Sequence, residues 1–248
     1  MNYLRSHKSK NNKSHLFLCK LVEEVIDRLN LKKSNHFNIL ELFARNNVFE
    51  LELKRKNFNF FLHQTKLSSK LYSNSKNLLS DELKISNYKN FNFDYCISFF
   101  SIYSPATLQE VLKYVNKVLK KDGKFLFAFH SSNSLAKFKE VFIRTTNFDI
   151  ADSFLPTYDM LSLGNLANSI GFKNVVVDQS EYLLTITKPR EIWDFIRSLG
   201  ENNYLIKRNK SIIKKSKYLE LCDLLNPSLT KEKSSTNQIF ITFLIGTK

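Results

Sequence analysis

Short, almost wholly apolar runs alternate with helical patterns along this chain, and that alternation restricts the folds open to it. Residues 37–43, 58–63, 93–100 and 125–129 form runs with the length and composition of strands buried on both faces. Between the last two runs, apolar residues recur with a helical period over 108–119. The sequence therefore predicts βαβ units and an α/β fold built on a mainly parallel sheet.

The remaining periodic segments predict further helices and the strands that complete the sheet. Apolar positions spaced by about 3.6 residues indicate helices, and glycine or proline marks several of their ends. Gly123 and Gly171 are expected to adopt left-handed backbone conformations where the preceding helices end. The predicted helices lie at 14–29, 162–170, 189–199 and 210–225, and the predicted strands at 175–177, continued by 181–186, and at 238–246.

The length of the chain bounds its domain organisation. With 248 residues it has room for one sizeable α/β domain or two small ones. We predict an N-terminal helical segment at 1–34 and a single domain at 35–248, with a helical insertion at about 188–227. No apolar run approaches the roughly 20 residues of a membrane span, and no leader pattern precedes them. A cytoplasmic protein with no membrane span is therefore expected.

The formal net charge of +15 leaves two interpretations open. Lysines that neutralise phosphates would bind nucleic acid or another polyanion without sequence preference. Alternatively, abundant Lys, Asn, Ile and Phe with only 5 glycines reflect an A+T-rich gene. The charge is spread along the chain without a known nucleic-acid-binding motif, which favours the compositional interpretation. Its densest stretches are 5–13 and 207–217, and the second is interpreted as one helix face.

No metal site is predicted from the cysteines and histidines. Cys19, Cys96 and Cys222 are odd in number and widely spaced within apolar stretches, as buried free thiols are. The five histidines lack metal-ligand spacing. His130 lies at the carboxyl end of the 125–129 strand, where either a position facing a cleft or a hydrogen-bonded structural role is open to it.

The segment that follows the first predicted strand contains no glycine. Nucleotide-binding α/β proteins place a glycine-rich loop there, because glycine lets backbone N–H groups approach a ligand closely. Here residues 40–47 are Leu-Glu-Leu-Phe-Ala-Arg-Asn-Asn, and the first glycine of the chain is Gly123. The loop bears directly on function, since ligand sites in such sheets lie beyond the carboxyl ends of the strands.

Several short segments outside this loop form a recognisable pattern, namely Phe93-Asp94, Lys120 to Gly123, Ile170-Gly171-Phe172, Leu155-Pro156, Ser162 to Leu166, Ser198 to Asn203 and Gln238 to Gly246. The first three resemble the class I S-adenosylmethionine (SAM) methyltransferase superfamily. The other four resemble more specifically the branch that contains the malonyl-acyl-carrier-protein O-methyltransferase of biotin synthesis and the mitochondrial complex I assembly factor 5. The resemblance runs from about residue 4 to the end of the chain.

The resemblance implies a Rossmann-like, seven-stranded methyltransferase fold, with a mostly parallel sheet and an antiparallel last strand. It also implies SAM as the cofactor. The family pocket maps onto Glu41, Phe43, Arg45 and Asn47 in the first loop, Lys66 at the ribose position, and Asp81 and Glu82 near the adenine. The substrate or partner side maps onto Tyr103, His130, Asn133, Glu201 and Asn203.

This chain departs from the family pattern at the cofactor positions. Phe43, Arg45 and Asn47 stand where the family has three spaced glycines, and of these only Asn tolerates a left-handed backbone well. Lys66 replaces the carboxylate that holds the ribose hydroxyls, and a lysine cannot accept hydrogen bonds. Tyr103 stands where the branch has histidine. The glycines at structural positions of the family remain, so the loss is selective.

Three functional hypotheses follow, and the third of them is nucleic-acid binding. The first is a non-catalytic pseudoenzyme of methyltransferase fold that binds a protein partner, as an assembly factor does. The second is an active SAM-dependent methyltransferase with an atypical cofactor loop, acting on a carrier-protein carboxylate or on a protein. Methyl transfer depends mainly on the alignment of nucleophile, methyl carbon and sulfur, so it demands few catalytic side chains.

Overall fold

The computed structural model describes residues 12–44, 46–66, 92–100, 102, 105–186, 190–199, 211–225 and 235–248. The strands within them are β1 (His36–Ala44), β2 (Asn59–Lys66), β3 (Phe93–Phe99), β4 (Leu119–His130), β5 (Lys173–Ile186) and β6 (Ser235–Thr247). The helices are α1 (Asn12–Leu29), α2 (Val48–Arg55), α3 (Pro105–Val118), α4 (Ala136–Thr146), α5 (Ile150–Ser153), α6 (Met160–Ile170), α7 (Arg190–Ser198) and α8 (Lys215–Leu225).

The six strands form one sheet in the order β2-β1-β3-β4-β6-β5. β1 runs parallel to both β2 and β3, and β3 runs parallel to β4. β6 is antiparallel to β4, with Lys124 opposite Thr247 and His130 opposite Ile241. The predicted α/β fold with a mostly parallel sheet and an antiparallel last strand is confirmed. Six strands lie within the described residues, and residues 67–91 between β2 and β3 lie outside them.

Each predicted helix is anchored by the apolar face that predicted it. Along α1, Leu21, Val25 and Leu29 are fully buried at a helical spacing. α6 begins at Met160, two residues before its predicted start, and there the Asp159 side chain accepts a hydrogen bond from the Ser162 N–H. It ends as predicted at Gly171, which has φ of 99°. No helix of the described residues combines the length and apolar character that crossing a bilayer needs.

The chain clusters into two compact units. Unit 1 comprises residues 1–17, 131–156 and 181–240, and unit 2 comprises 18–130, 157–180 and 241–248. Unit 2 holds a large apolar core in which α3 and α6 cover strands of the sheet, with Val111, Phe125 and Phe127 fully buried. The division into a segment at 1–34 and a domain at 35–248 stays a prediction.

Unit 1 has an aromatic core of its own. The Phe138 and Trp193 rings meet edge to face with 4.8 Å between their centroids, and Trp193 lies 6.0 Å from Tyr218. These contacts join α4, α7 and α8. Trp193 is therefore a packing residue of the predicted helical insertion, as the amphipathic pattern of α7 indicates.

Two local predictions about helix ends are wrong. Gly123 does not have a left-handed backbone; among the described residues of that turn, Asp122 does, with φ of 63°. Residues 119–124 instead enter β4, where Lys120 forms an ion pair of 2.7 Å with Asp94 of β3. Gly123 is needed for space, because a Cβ there would lie 2.9 Å from the Lys120 carbonyl oxygen. The predicted helix at 210–225 begins only at Lys215.

Candidate functional site at the carboxyl end of β1

The first strand ends in an irregularity at the position of the missing glycine loop. Glu41 pairs with Gln64 and Ala44 pairs with Lys66, so three steps along β1 correspond to two along β2. The extra residue lies in a bulge at which Phe43 has φ of 58°. Bulges often place a glycine in this left-handed conformation, because a Cβ is strained there. The backbone shape that favours glycine is present here, and a phenylalanine occupies it.

The Phe43 side chain is turned into the protein. It is 4% exposed and belongs to the apolar core of unit 2, together with Leu40, Leu42 and Phe129. Its backbone N–H donates a hydrogen bond of 2.8 Å to the Thr65 hydroxyl at the end of β2. The protein itself therefore satisfies the backbone donor at the start of the loop.

Glu41 carries a buried carboxyl group and lies two residues before Phe43 in β1. Its side chain is 3% exposed, and Oε2 accepts a hydrogen bond of 2.7 Å from the Gln64 amide. Desolvation, with a smaller contribution from the negative charge of Glu50, raises the pKa of Glu41 from 4.5 to about 7, although the Gln64 hydrogen bond opposes this rise. Glu41 therefore changes its protonation state near neutral pH.

The other end of the loop is the start of α2. Asn47 precedes the helix with φ of −108° and makes no side-chain cap, so the left-handed backbone is found at Phe43 and not at Asn47, which would tolerate it better. The Asn46 side chain accepts a hydrogen bond of 3.0 Å from the Val48 N–H. Asn46 thus takes the local role of satisfying a free N–H at the helix start.

Several predicted site positions lie outside the described residues. Arg45 of the first loop is among them, as are Asp81, Glu82, Tyr103, Glu201 and Asn203. Lys66 is described only through its backbone, which pairs with Ala44. The roles assigned to these residues by resemblance stay predictions.

His130 and Asn133 are described, and they lie in different units. His130 ends β4 in unit 2, where its ring stacks on Phe100 with 4.3 Å between centroids and 17° between planes. Asn133 is an exposed residue of the turn that follows in unit 1, and its backbone N–H donates to the Ser131 hydroxyl at 3.4 Å. The stacking agrees with a structural role for His130, one of the two roles that the sequence left open.

Gln64 and Thr65 were not expected as site residues from the sequence. They follow an apolar run and have no motif of their own, and only the parallel pairing of β1 with β2 brings them beside Glu41 and Phe43. The one available signal was positional, since polar residues at the carboxyl ends of neighbouring parallel strands share one edge of a sheet. Within the described residues, no group of three His, Cys, Asp or Glu side chains is suited to hold a metal ion.

The arrangement of the strands defines the class of fold. The six-stranded sheet, with its parallel strands and antiparallel β6, is the α/β methyltransferase fold. The site lies where proteins of this fold meet their cofactor, at the carboxyl ends of the parallel strands.

Solved structures with this fold come from several organisms. A candidate methyltransferase of Bacillus halodurans aligns with a TM-score of 0.52 and 10% identity, over 92% of this chain and 98% of that one. The phosphoethanolamine N-methyltransferase 2 of Haemonchus contortus, solved with S-adenosyl-L-methionine, aligns with a TM-score of 0.48 and 13% identity over 92% of this chain. The present chain spans only 52% of that enzyme. The Bacillus halodurans alignment shows a shared fold and nothing more.

No model of a protein family matches the sequence. No curated protein matches it either. The particular branch suggested by the sequence therefore rests on the resemblance of its motifs.

Proposed function

We propose that this chain is a methyltransferase-fold protein with an eroded SAM pocket, and that it acts without catalysis by binding a protein partner, as an assembly factor does. Phe43 is the single observation that carries this proposal. At a position where the family has glycine, a large side chain occupies a left-handed backbone position and packs into the core.

Hydrogen bonding around the loop supports the same conclusion. A glycine loop binds a cofactor because its backbone N–H groups point outward and remain available. Here the Phe43 N–H is held by Thr65, and the Val48 N–H is held by Asn46. Lys66 at the ribose position adds the sequence-based argument, since an ammonium group has no lone pair for the ribose hydroxyls. These contacts support the proposal that the described residues of this loop do not fit SAM.

One observation favours the alternative of an active methyltransferase. Glu41 keeps the acidic position of the family motif, buried at the carboxyl end of β1 and held by Gln64. Under that alternative it would be a surviving cofactor contact. The substrate would be a carrier-protein carboxylate or a protein side chain, as the resemblance implies.

Calorimetry with SAM and S-adenosylhomocysteine tests the proposal. We expect no binding by the full chain, whereas the Haemonchus contortus enzyme solved with SAM serves as the positive control. Micromolar binding by the parent chain would refute the proposal and favour the active enzyme. A double variant, Phe43→Gly with Lys66→Asp, is titrated alongside. Binding that appears only in this variant would assign the loss to these two positions.

A further inference from the structure

One short segment of unit 1 combines an exposed aliphatic side chain with closely spaced lysines. This segment, called the basic segment below, is Ser-Ile-Ile-Lys-Lys-Ser-Lys at 211–217. Ile212 is 91% exposed, the highest value for a large apolar side chain among the described residues, and Leu161 at 72% comes next. A single exposed aliphatic side chain is ordinary on a protein surface, and Ile212 is distinguished only by the lysines that follow it in the basic segment.

The charges of the basic segment are directed to solvent. Lys214 and Lys215 are exposed, and neither has an ion pair with a described residue. Lys217 pairs with Glu220 at 3.0 Å. The basic segment itself contains three lysines and no acidic residue. The basic segment is therefore positively charged through its own lysines, whatever the net charge of the rest of the chain.

Helix α8 anchors the basic segment to the rest of unit 1. Its inner face buries Leu221 and Leu225, and α8 packs against α4. The Tyr218 ring lies 6.0 Å from Trp193, so this tyrosine serves packing. On the outer side of the same helix, Leu219 is 51% exposed. A second aliphatic group thus lies on the helix that contains Lys215 and Lys217, a helix that also exposes Glu220 and Asp223.

We propose that the basic segment and Leu219 dock on an anionic lipid surface. Lysines near such a surface each contribute about 1 kcal/mol of attraction, and an aliphatic side chain that enters the boundary of the acyl region supplies the second signal that stable attachment requires. Ile212 is the inserting residue, and Lys214 and Lys215 contact the lipid headgroups. This docking leaves the protein on the surface and needs no membrane-spanning helix.

A nucleic acid is the less suitable occupant of this surface. Phosphates attract the lysines equally well, but an exposed isoleucine contributes nothing to binding a phosphate backbone. Single-stranded nucleic acids are bound by stacking bases on exposed aromatic rings, and the aromatic residue of α8, Tyr218, packs toward Trp193. Dependence of binding on Ile212 therefore distinguishes a lipid surface from a nucleic acid.

Co-sedimentation of the full chain with lipid vesicles tests the proposal. We expect binding to phosphatidylcholine vesicles that contain phosphatidylserine, weakening with salt, and no binding to phosphatidylcholine alone. Ile212→Ser should lower the partition coefficient about tenfold or more, because it removes the inserted side chain. Lys214→Gln with Lys215→Gln should lower it on the order of 30-fold, at about 1 kcal/mol for each lysine.

Matched controls separate these effects from general changes in charge and hydrophobicity. Leu161→Ser removes an exposed aliphatic side chain from unit 2, and Lys32→Gln with Lys33→Gln removes a lysine pair from the same unit. Both should bind vesicles as the parent does, and circular dichroism confirms that every variant is folded.

Three results would overturn the proposal. Vesicle binding that Ile212→Ser leaves unchanged excludes insertion. Loss of binding to the same extent in the Lys32/Lys33 variant shows that the net charge of the chain, and not the basic segment, is responsible. The third result is binding of polyuridylate in the absence of vesicle binding. If that binding depends on Lys214 and Lys215 but not on Ile212, the partner is a nucleic acid and not a lipid surface. None of these measurements depends on whether the chain binds SAM.

Discussion

Replacing Glu41 by glutamine should make the protein more stable at high pH and remove part of its pH dependence. The carboxyl group is buried, no cation contacts it among the described residues, and its pKa in the folded protein is about 7 against an ordinary value of 4.5. Between these two values the folded state holds a proton that the unfolded state has lost. Stability must therefore fall as the pH rises from 4.5 to about 7, and remain low above it.

The size of the effect follows from the same two values. Each pKa unit corresponds to about 1.4 kcal/mol, so deprotonation of Glu41 costs about 3 kcal/mol of stability at high pH. Glutamine has nearly the same shape, carries no charge, and keeps an oxygen that accepts the hydrogen bond of the Gln64 amide. We expect Glu41→Gln to match the parent near pH 4 and to exceed its free energy of unfolding by about 3 kcal/mol near pH 8.

Urea unfolding followed by far-ultraviolet circular dichroism between pH 4 and pH 8.5 measures this difference. The signal of the one tryptophan is less suitable, because Trp193 lies in unit 1 and Glu41 in unit 2. Glu52→Gln is the matched control: Glu52 is also buried, but its carboxylate pairs with Arg55 at 2.7 Å, so neutralising it should bring no gain at high pH. An equal change in stability at both ends of the pH range would show that deprotonation of Glu41 is not the cause of the difference.

Substitutions at three further positions are tested by urea unfolding. Thr65→Val leaves the buried Phe43 N–H without its acceptor and should cost about 1–3 kcal/mol, whereas Thr65→Ser keeps the hydroxyl and should cost less. Gly171→Ala should cost about 1–2 kcal/mol from its left-handed backbone alone, since no atom lies within 4 Å of the new Cβ. Gly246→Ala should cost about 1–3 kcal/mol, because its Cβ would lie 2.5 Å from the Phe125 ring; equal stability of parent and variant would show that the ring moves freely.

Much of the fold was predictable because its signals are local. Apolar runs and helical periods depend only on neighbouring residues, and they located α1, α6 and all six described strands. Gly171 ends α6 as expected, since a left-handed helix end needs little beyond the helix itself. The prediction of a left-handed backbone at Gly123 was wrong because the conformation there is not set by local sequence. Its role depends on the pairing of β4 with β3 and on the Asp94–Lys120 ion pair, which join residues distant in the sequence.

The candidate site was predictable only in part. The sequence identified Glu41 and Phe43 as occupants of the loop positions, by resemblance to a family. It contained no sign that Phe43 would keep a left-handed backbone, because this conformation follows from a bulge between β1 and β2. Gln64 and Thr65 became part of the site through the same pairing.

By itself, the sequence determined the class of fold and the residue types at the cofactor positions, because both depend only on residues that are close together in the chain. The tertiary structure decided what those residues do. It turned Phe43 into the core, assigned its N–H to Thr65, and buried Glu41 away from any described cation, which raises the pKa of that carboxyl group to about 7. Burial and hydrogen bonding across strands depend on contacts between distant residues, and only the folded chain creates them.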